Sequence, residues 1–275
     1  MLSNIMAQLG NHTNARIDEP MVRHMVLNSI RMYKTKFADE YGELIIACDN
    51  RNYWRKHVFP YYKANRKKSQ TESELNWKDI FECLNKIRSE LKENFPYRII
   101  DIESAEADDI IGTLCEEFGN TSEKILILSG DKDFQQLQKY INVTQYNPVL
   151  KKYIKCNDPD KFLEEHILKG DVSDGIPNVL SSDNCFVINE RQKPLTKKRM
   201  DALMNTNLIG KFDHECFRNY TRNKTLIDLS QIPNRIKLQV MESFDNQENK
   251  KSPNLLNYFI ANRLRNLTEN IGDFV

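Results

Sequence analysis

Ile125-Leu126-Ile127-Leu128-Ser129-Gly130-Asp131-Lys132-Asp133 is the stretch that decides the fold. Four consecutive apolar residues bounded by turn formers fit a short strand buried on both faces, and two aspartates stand directly after its carboxyl end. The same grammar recurs upstream. Leu44-Ile45-Ile46-Ala47-Cys48 is a second apolar run and ends at Asp49, while Tyr97-Arg98-Ile99-Ile100-Asp101-Ile102 is a third, with Glu106 close behind it. Helical spacing fills the intervals. Residues 21–39 place Val22, Val26, Ile30, Tyr33 and Phe37 at steps of three and four, residues 73–94 resume that spacing, and residues 105–118 carry Ile110, Ile111, Leu114 and Phe118 on one face. Strands alternating with helices predict an α/β fold with a mostly parallel central sheet flanked by helices. Ligands of such sheets bind at the carboxyl ends of the strands, where Asp49, Asp131 and the start of the 105–118 helix converge.

Eight acids gather there or near it: Asp49, Glu106, Asp108, Asp109, Asp131, Asp133, Asp171 and Asp174. Taken singly they have ordinary explanations. Glu106, Asp108 and Asp109 suit the first turn of a helix, Asp131 and Asp133 a turn and an N-cap, and Asp171 and Asp174 a polar loop. Taken together they repel one another, and an oxygen-rich cluster of this kind is what Mg²⁺ or Mn²⁺ requires. Several carboxylates from different elements are what holds two ions about 4 Å apart, the arrangement that cleaves phosphodiesters.

Directly after Asp49, the segment Arg51 to Lys68 holds seven lysines and arginines, five aromatics (Tyr53, Trp54, Phe59, Tyr61, Tyr62) and no acid. Cations contact phosphates and rings stack on unpaired bases, so the segment reads as a nucleic-acid contact rather than a solvated face. A second basic group, Arg191, Lys193, Lys197, Lys198 and Arg199, fits duplex backbone and surface solubility equally well.

The rest of the chain bounds the reading. Its 275 residues leave ample length for a core, and 40 basic against 39 acidic residues leave net charge uninformative. Six dispersed cysteines without a C-x-x-C pair fit free thiols in a reducing cytosol. The five histidines show no ligand spacing. No apolar run reaches bilayer length and Met1 to Gly10 lacks a signal pattern, so the expectation is a cytoplasmic protein with no membrane contact. Nucleotide-binding glycine motifs are absent. A phosphatase built on Asp131 and Asp133 would need its acids on the first strand and a nearby threonine, which Phe134-Gln135-Gln136 does not supply. A soft boundary near residue 155 separates an α/β core (1–155) from a helical region (156–275). That region ends in the stripe Leu255, Leu256, Phe259, Ile260, Leu264 and Leu267, which predicts a helix packed on the core.

Five ordered strings carry a resemblance: Tyr53-Trp54-Arg55, Tyr61 to Arg66, Glu106 to Asp109, Ser129 to Phe134, and Lys169 to Asp174. In order and spacing they resemble the flap endonuclease and 5′-exonuclease family, with most similarity to its bacteriophage branch and over nearly the whole chain. The resemblance implies a metal-dependent 5′-to-3′ nuclease. It would remove primers during phage DNA replication, from the cytoplasm of the host cell, cutting DNA and the RNA of RNA–DNA hybrids. Asp49, Asp108 and Asp131 would ligate a first Mg²⁺ with Glu106 and Asp109 in support, and Asp133, Asp171 and Asp174 would form a second, more hydrated site; Mn²⁺ could substitute.

By the same resemblance, residues 51–72 form an arch for a 5′ single strand. Lys63 and Arg66 would act on the scissile phosphate, and Arg55, Tyr62 and Lys67 would also touch DNA. A helical hairpin at about 162–190, with Gly170 and Gly175 at its close approaches, would grip duplex around a potassium ion, though Asn178 to Asp183 departs from its simplest form. The partners implied are branched or nicked DNA, RNA–DNA hybrid duplex, and the replication fork's single-strand-binding protein and sliding clamp. Leu264 to Phe274 would serve as the docking surface, while helix packing explains the same spacing. One departure concerns the start. Met1 to Ile5 matches the residues that come just after the family's first strand and its ligating aspartate. The expectation is a reading frame begun at an internal methionine, or else a shortened chain that binds structured DNA without cutting it.

Overall fold

The structure is a computed structural model that describes residues 18–66, 70, 75–204, 213–248, 250–251 and 254–275. Met1 to Ile5, Lys67 and most of 67–72 therefore lie outside the described residues. The chain divides into two compact units: residues 1–47, 72–100 and 242–275 form one, and residues 48–71 and 101–241 the other.

In the first unit, α1 (Glu19–Tyr41) opens on Asp18, whose carboxylate accepts from the Met21 N–H, with proline inside the first turn. Of the stripe its periodicity predicts it buries Val22, Val26, Ile30 and Phe37, with Tyr33 only half-buried and Leu27 buried beside them, and it stops at Gly42, whose φ of 71° few other residues adopt. Helix α3 (Trp77–Asn94) faces it through Ile80, Cys83, Ile87 and Leu91, and the two are tied by buried Arg23, 2.6 Å from both Glu90 and Glu19. Strands β1 (Ile45–Ala47) and β2 (Arg98–Ile100) pair in parallel, Ile46 opposite Ile99. Phe95, Phe259 and Phe274, each fully buried, meet with ring centroids 5.2–6.0 Å apart. The terminal stripe departs from expectation. It is split into α9 (Leu255–Ala261) and α10 (Arg265–Thr268) by Arg263 at φ 54°, and Leu256 and Ile260 are 50% and 62% exposed. Adjacent residues on a helix lie about 100° apart, so Leu255, Tyr258 and Phe259 face inward while Leu256 and Ile260 turn outward.

The second unit holds β3 (Ile125–Leu128), β4 (Val143–Asn147) and β5 (Lys152–Ile154). β3 and β4 are parallel, whereas the four residues between β4 and β5 permit only an antiparallel return. Among the described residues the strands form two ladders, the parallel β1-β2 in the first unit and the mixed β3-β4-β5 in the second. Helix α2 (Arg55–Val58), α4 (Ala107–Phe118), a 3-10 helix (Lys132–Lys139), α5 (Pro159–Lys169), α6 (Lys197–Met204), α7 (His214–Ile227), α8 (Asn234–Asp245, which crosses into the first unit's residues) and two short 3-10 helices, Leu229–Gln231 here and Ile271–Phe274 in the first unit, complete the described elements. Phe59, Tyr62, Ile167, Leu168, Ile176, Val179, Tyr220 and Leu226 form one apolar cluster of this unit.

The expected helical hairpin keeps only its first arm. After α5, residues 177–189 run in turns. There Asn178 accepts from the Leu180 N–H and the Ser181 hydroxyl, local bonds that compete with a second helix.

Candidate metal centre

All eight acids lie in the second unit, each placed by the end of an element. Asp49 stands just past β1 and its Oδ1 accepts the Ala107 N–H at 2.8 Å, at the positive end of α4. Glu106 is the N-cap of α4, and its bond to the third-residue N–H is reciprocated by Asp109, whose Oδ2 accepts the Glu106 N–H at 2.8 Å. Asp108 sits in the first turn of the same helix. Asp131 caps the 3-10 helix by accepting the Asp133 N–H at 3.0 Å. Asp171, 2% exposed, accepts from the backbone and hydroxyl of Ser173 at 2.8 and 2.5 Å.

The carboxylates separate into two electrostatic classes. Glu106 and Asp109 are neutralised from within. Arg55, 2% exposed, lies 2.9 Å from Glu106 and 2.8 Å from Asp109. The Trp54 indole N–H reaches both Asp109 oxygens at 3.2 Å, and Lys63 lies 2.5 Å from Glu106. Burial pushes the Glu106 carboxyl up, but Lys63 and Arg55 outweigh it and hold the group below its ordinary range. Asp108 and Asp131 behave oppositely. Burial raises Asp108 well above the usual carboxylate range and the Asp131 charge adds to it. Burial and the charge on Asp133 likewise raise Asp131. Lys63 and Arg55 beside Asp108, and Lys132 beside Asp131, offset these effects only in part.

On the far side, Asp133 Oδ1 meets His166 Nε2 at 2.9 Å, and His166 stands 3.4 Å from Asp171, which also pairs with Lys132 at 2.9 Å. One ligand atom from each of Asp133, His166 and Asp171 falls within 4.8 Å of the others. Burial disfavours the His166 imidazolium, yet its bonds to Asp133 and Asp171 raise it to about 9, and hydrogen bonds from His166, Ser173 and Lys132 hold Asp171 well below its ordinary range despite burial. His166 and Lys132 are participants that the sequence reading missed. Lys132 carried a signal, a lysine between two aspartates. His166 carried none, since its partners lie 33 residues before it and beyond the turn after α5.

The basic segment joins the two sides. Tyr62, 2% exposed, donates its hydroxyl toward Glu106 and Asp174, 3.0 Å from each. Lys63 spans the same two acids, 3.6 Å from Asp174, and its backbone N–H reaches the Asp174 carbonyl at 2.7 Å. Its φ of 56° is left-handed, unusual for a residue with a Cβ. Arg66, with half its side chain exposed, lies 2.6 Å from Asp174. Burial raises the Asp174 carboxyl while Lys63 and Arg66 pull it back. The expectation that Arg55 and Tyr62 face DNA is corrected here: both point inward, because buried carboxylates need cations and donors more than the surface does. Gly170 (φ 67°) and Gly175 (φ 71°) make the backbone turn. A Cβ on Gly170 would lie 2.3 Å from the Ile176 carbonyl oxygen, and one on Gly175 would lie 3.1 Å from that of Tyr61.

Comparison with known proteins adds to this geometry. The family described as 5′-3′ exonuclease, N-terminal resolvase-like domain, matches residues 4–166, and that described as T4 RNase H, C terminal, matches residues 159–274. Ribonuclease H of Enterobacteria phage T4 is 34% identical over 270 residues, covering 94% of this chain and 88% of that protein. A 5′-3′ exonuclease of Buchnera aphidicola subsp. Acyrthosiphon pisum is 32% identical over 148 residues, 50% of this chain and 47% of that protein. Among solved structures, the T5 D15 flap endonuclease, in a pseudo-enzyme-product complex with DNA and metal ions, superposes with a TM-score of 0.60 at 16% identity, covering 86% of this chain and 94% of that one. The T5 5′-exonuclease with zinc bound gives 0.59 at 14% identity, over 88% and 96% of the two chains. At these identities the structural likeness speaks for the fold.

Proposed function

The chain belongs to the 5′-3′ exonuclease family, and from that premise we propose that its acidic centre is where a metal-dependent 5′-3′ nuclease of DNA replication cuts its substrate. The observation that carries this reading is the pair Asp108 and Asp131, brought to one place from two elements, whose carboxyls stay raised by burial and by neighbouring negative charge although Lys63, Arg55 and Lys132 stand near, while cations directly pair Glu106 and Asp109 beside them. An all-oxygen set whose charge is offset only in part fits a hard divalent cation.

Asp49, Asp108 and Asp131 would hold a first Mg²⁺, with Glu106 and Asp109 shaping that site through the α4 cap. Asp133, Asp171 and Asp174 would hold a second, with Mn²⁺ able to replace either. Divalent ions held there would activate a water and offset charge on the leaving oxygen. The side chains do the rest. Lys63 and Arg66 stand at Asp174, where a phosphate drawn to the centre would find two cations, and Arg55 and Tyr62 keep Glu106 and Lys63 in place. Asp49 fixes the start of α4, and so the position of Asp108.

The substrate class proposed is branched or nicked DNA and RNA–DNA hybrid with a 5′ end or flap. Its duplex would lie along the turn bearing Gly170 and Gly175 and the exposed Lys197, Lys198 and Arg199. The proposed division near residue 155 into core and helical region lies close to where the two family matches overlap, at 159–166, whereas the compact units divide the chain elsewhere and keep residue 155 inside the second. Among the described residues no helix is long and apolar enough to cross a membrane, and the host-cell cytoplasm is the proposed location. The single-strand-binding protein and the sliding clamp remain proposed partners. Leu264, Leu267 and Phe274 are buried, so exposed Leu256 and Ile260 are the better docking surface. A potassium ion at the hairpin would meet carbonyls that already have donors, among them those of Ile167 and Pro177.

The test is Mg²⁺-dependent cleavage of a 5′-labelled flap duplex and of an RNA–DNA hybrid. Release of short 5′ products in Mg²⁺ and none in chelator supports the reading. Tight binding without cleavage in Mg²⁺ and Mn²⁺ would leave a structure-specific DNA-binding protein.

A further inference from the structure

After α5 the chain turns its carbonyl oxygens inward against α7, and α7 answers with side chains. Asn223, fully buried, donates its amide to the carbonyls of Ile167 at 2.8 Å and Pro177 at 2.9 Å. Asn219, also fully buried, donates to those of Val179 and Ser181, each at 3.1 Å. Arg222 adds a donor to Pro177 at 3.0 Å, pairs with Asp183 and lies 5.2 Å from the Phe59 ring. The amides are themselves oriented: Arg222 donates to the Asn223 Oδ1 at 2.8 Å, and Arg218 to the Asn219 Oδ1 at 2.8 Å, so each Nδ2 faces the loop. Two further carbonyls close on the backbone, Leu168 to the Val179 N–H at 3.1 Å and Ile176 to the Asp171 N–H at 2.8 Å.

A potassium ion is held by several carbonyl oxygens turned to a common point. Here the carbonyls of Ile167, Pro177, Val179 and Ser181 are occupied by four amide hydrogen bonds and a guanidinium. We infer that Asn219, Arg222 and Asn223 are positioning residues that hold loop 176–183 in place of a bound monovalent cation. The loop's relevance to duplex rests on the proposed nuclease function, but its internal cation does not. The physical basis is the cost of unpaired buried carbonyls, which must be met either by an ion or by donors. An arginine fixed by Asp183 and flanked by two amides supplies donors permanently, and the loop's shape then does not depend on the salt.

Hydrogen exchange at the amides of Ile176 and residues 178–181 tests this in chloride salts of potassium, sodium and tetramethylammonium at one ionic strength. The expected result for the unaltered chain is equal protection in all three. A bound ion would instead slow exchange by a factor of 1 + [ion]/Kd, and protection about tenfold greater in potassium would overturn the inference. Asn223→Asp, of the same size but without donors, should speed exchange in this loop by about tenfold or more while α4 keeps its protection. Unchanged protection in a folded Asn223→Asp chain would also overturn it. Flap-duplex affinity measured in the same salts reports separately on the nuclease reading. Absence of binding in every salt would defeat that reading, while the exchange data still decide the loop.

Discussion

The ammonium of Lys63 lies 2.5 Å from Oε1 of Glu106, the residue that caps α4, and is carried on a backbone at φ 56°. The strained conformation puts one side chain within reach of both Glu106 and Asp174, so a single cation joins the two halves of the acidic centre. Lys63→Ala should lower single-turnover cleavage by about a hundredfold, in the range found when one transition-state donor is removed, and weaken substrate binding much less. An affinity loss matching the rate loss would make Lys63 a phosphate clamp.

Glu106 should govern acid stability. Its carboxyl is depressed by Lys63 and Arg55 against the effect of burial, below an ordinary 4.5. A carboxyl depressed on folding stabilises the native state above its unfolded value, and that contribution disappears as pH falls through the folded value. Glu106→Gln lacks the contribution at every pH. It should cost about 3–5 kcal/mol at neutral pH, the range for stranding buried partners. Its urea stability should also change less than that of the unaltered chain between about pH 5 and pH 3. Parallel pH profiles for the two chains would contradict this.

Asp108 and Asp131 carry the opposite sign. Their folded carboxyls are raised, so each destabilises the native state as pH rises through the folded value, unless a cation arrives. Mg²⁺ at about a hundred times its dissociation constant should add about 2.7 kcal/mol. The gain in melting temperature should be larger near pH 7.5 than near pH 5. A gain independent of pH would place the ion elsewhere.

Asp131→Asn removes both a ligand and a repelling charge. Cleavage should fall by at least about a hundredfold while flap-duplex affinity is kept or improved. Joint loss of both, with a lowered melting temperature, would instead identify a folding defect at the 3-10 helix that Asp131 caps.

Gly170→Ala should be severe. Besides the left-handed φ, its methyl group would lie 2.3 Å from a backbone oxygen that has no freedom to move. The expected loss is at least about 1–3 kcal/mol in denaturant stability, with weaker duplex binding. Stability within error of the unaltered chain would show that the turn can reshape.

What the sequence by itself determined is whatever depends on neighbours along the chain. Strands β1, β2 and β3, helices α1 and α4, and the acids at their ends are legible in apolar periodicity and turn formers. The α4 cap is legible in Glu106 standing three residues before Asp109. The register of the ladders β1-β2 and β3-β4-β5, the turns that follow α5 where a second helical arm was expected, and the roles of Arg55, Tyr62, Lys132 and His166 were decided only by tertiary structure. The physical reason is electrostatic. A buried carboxylate must find a counter-ion or a donor wherever the fold brings one, and Arg55 finds Glu106 across 51 residues as His166 finds Asp133 across 33. Spacing reveals which groups carry charge, but only packing decides which of those charges are left for a metal ion.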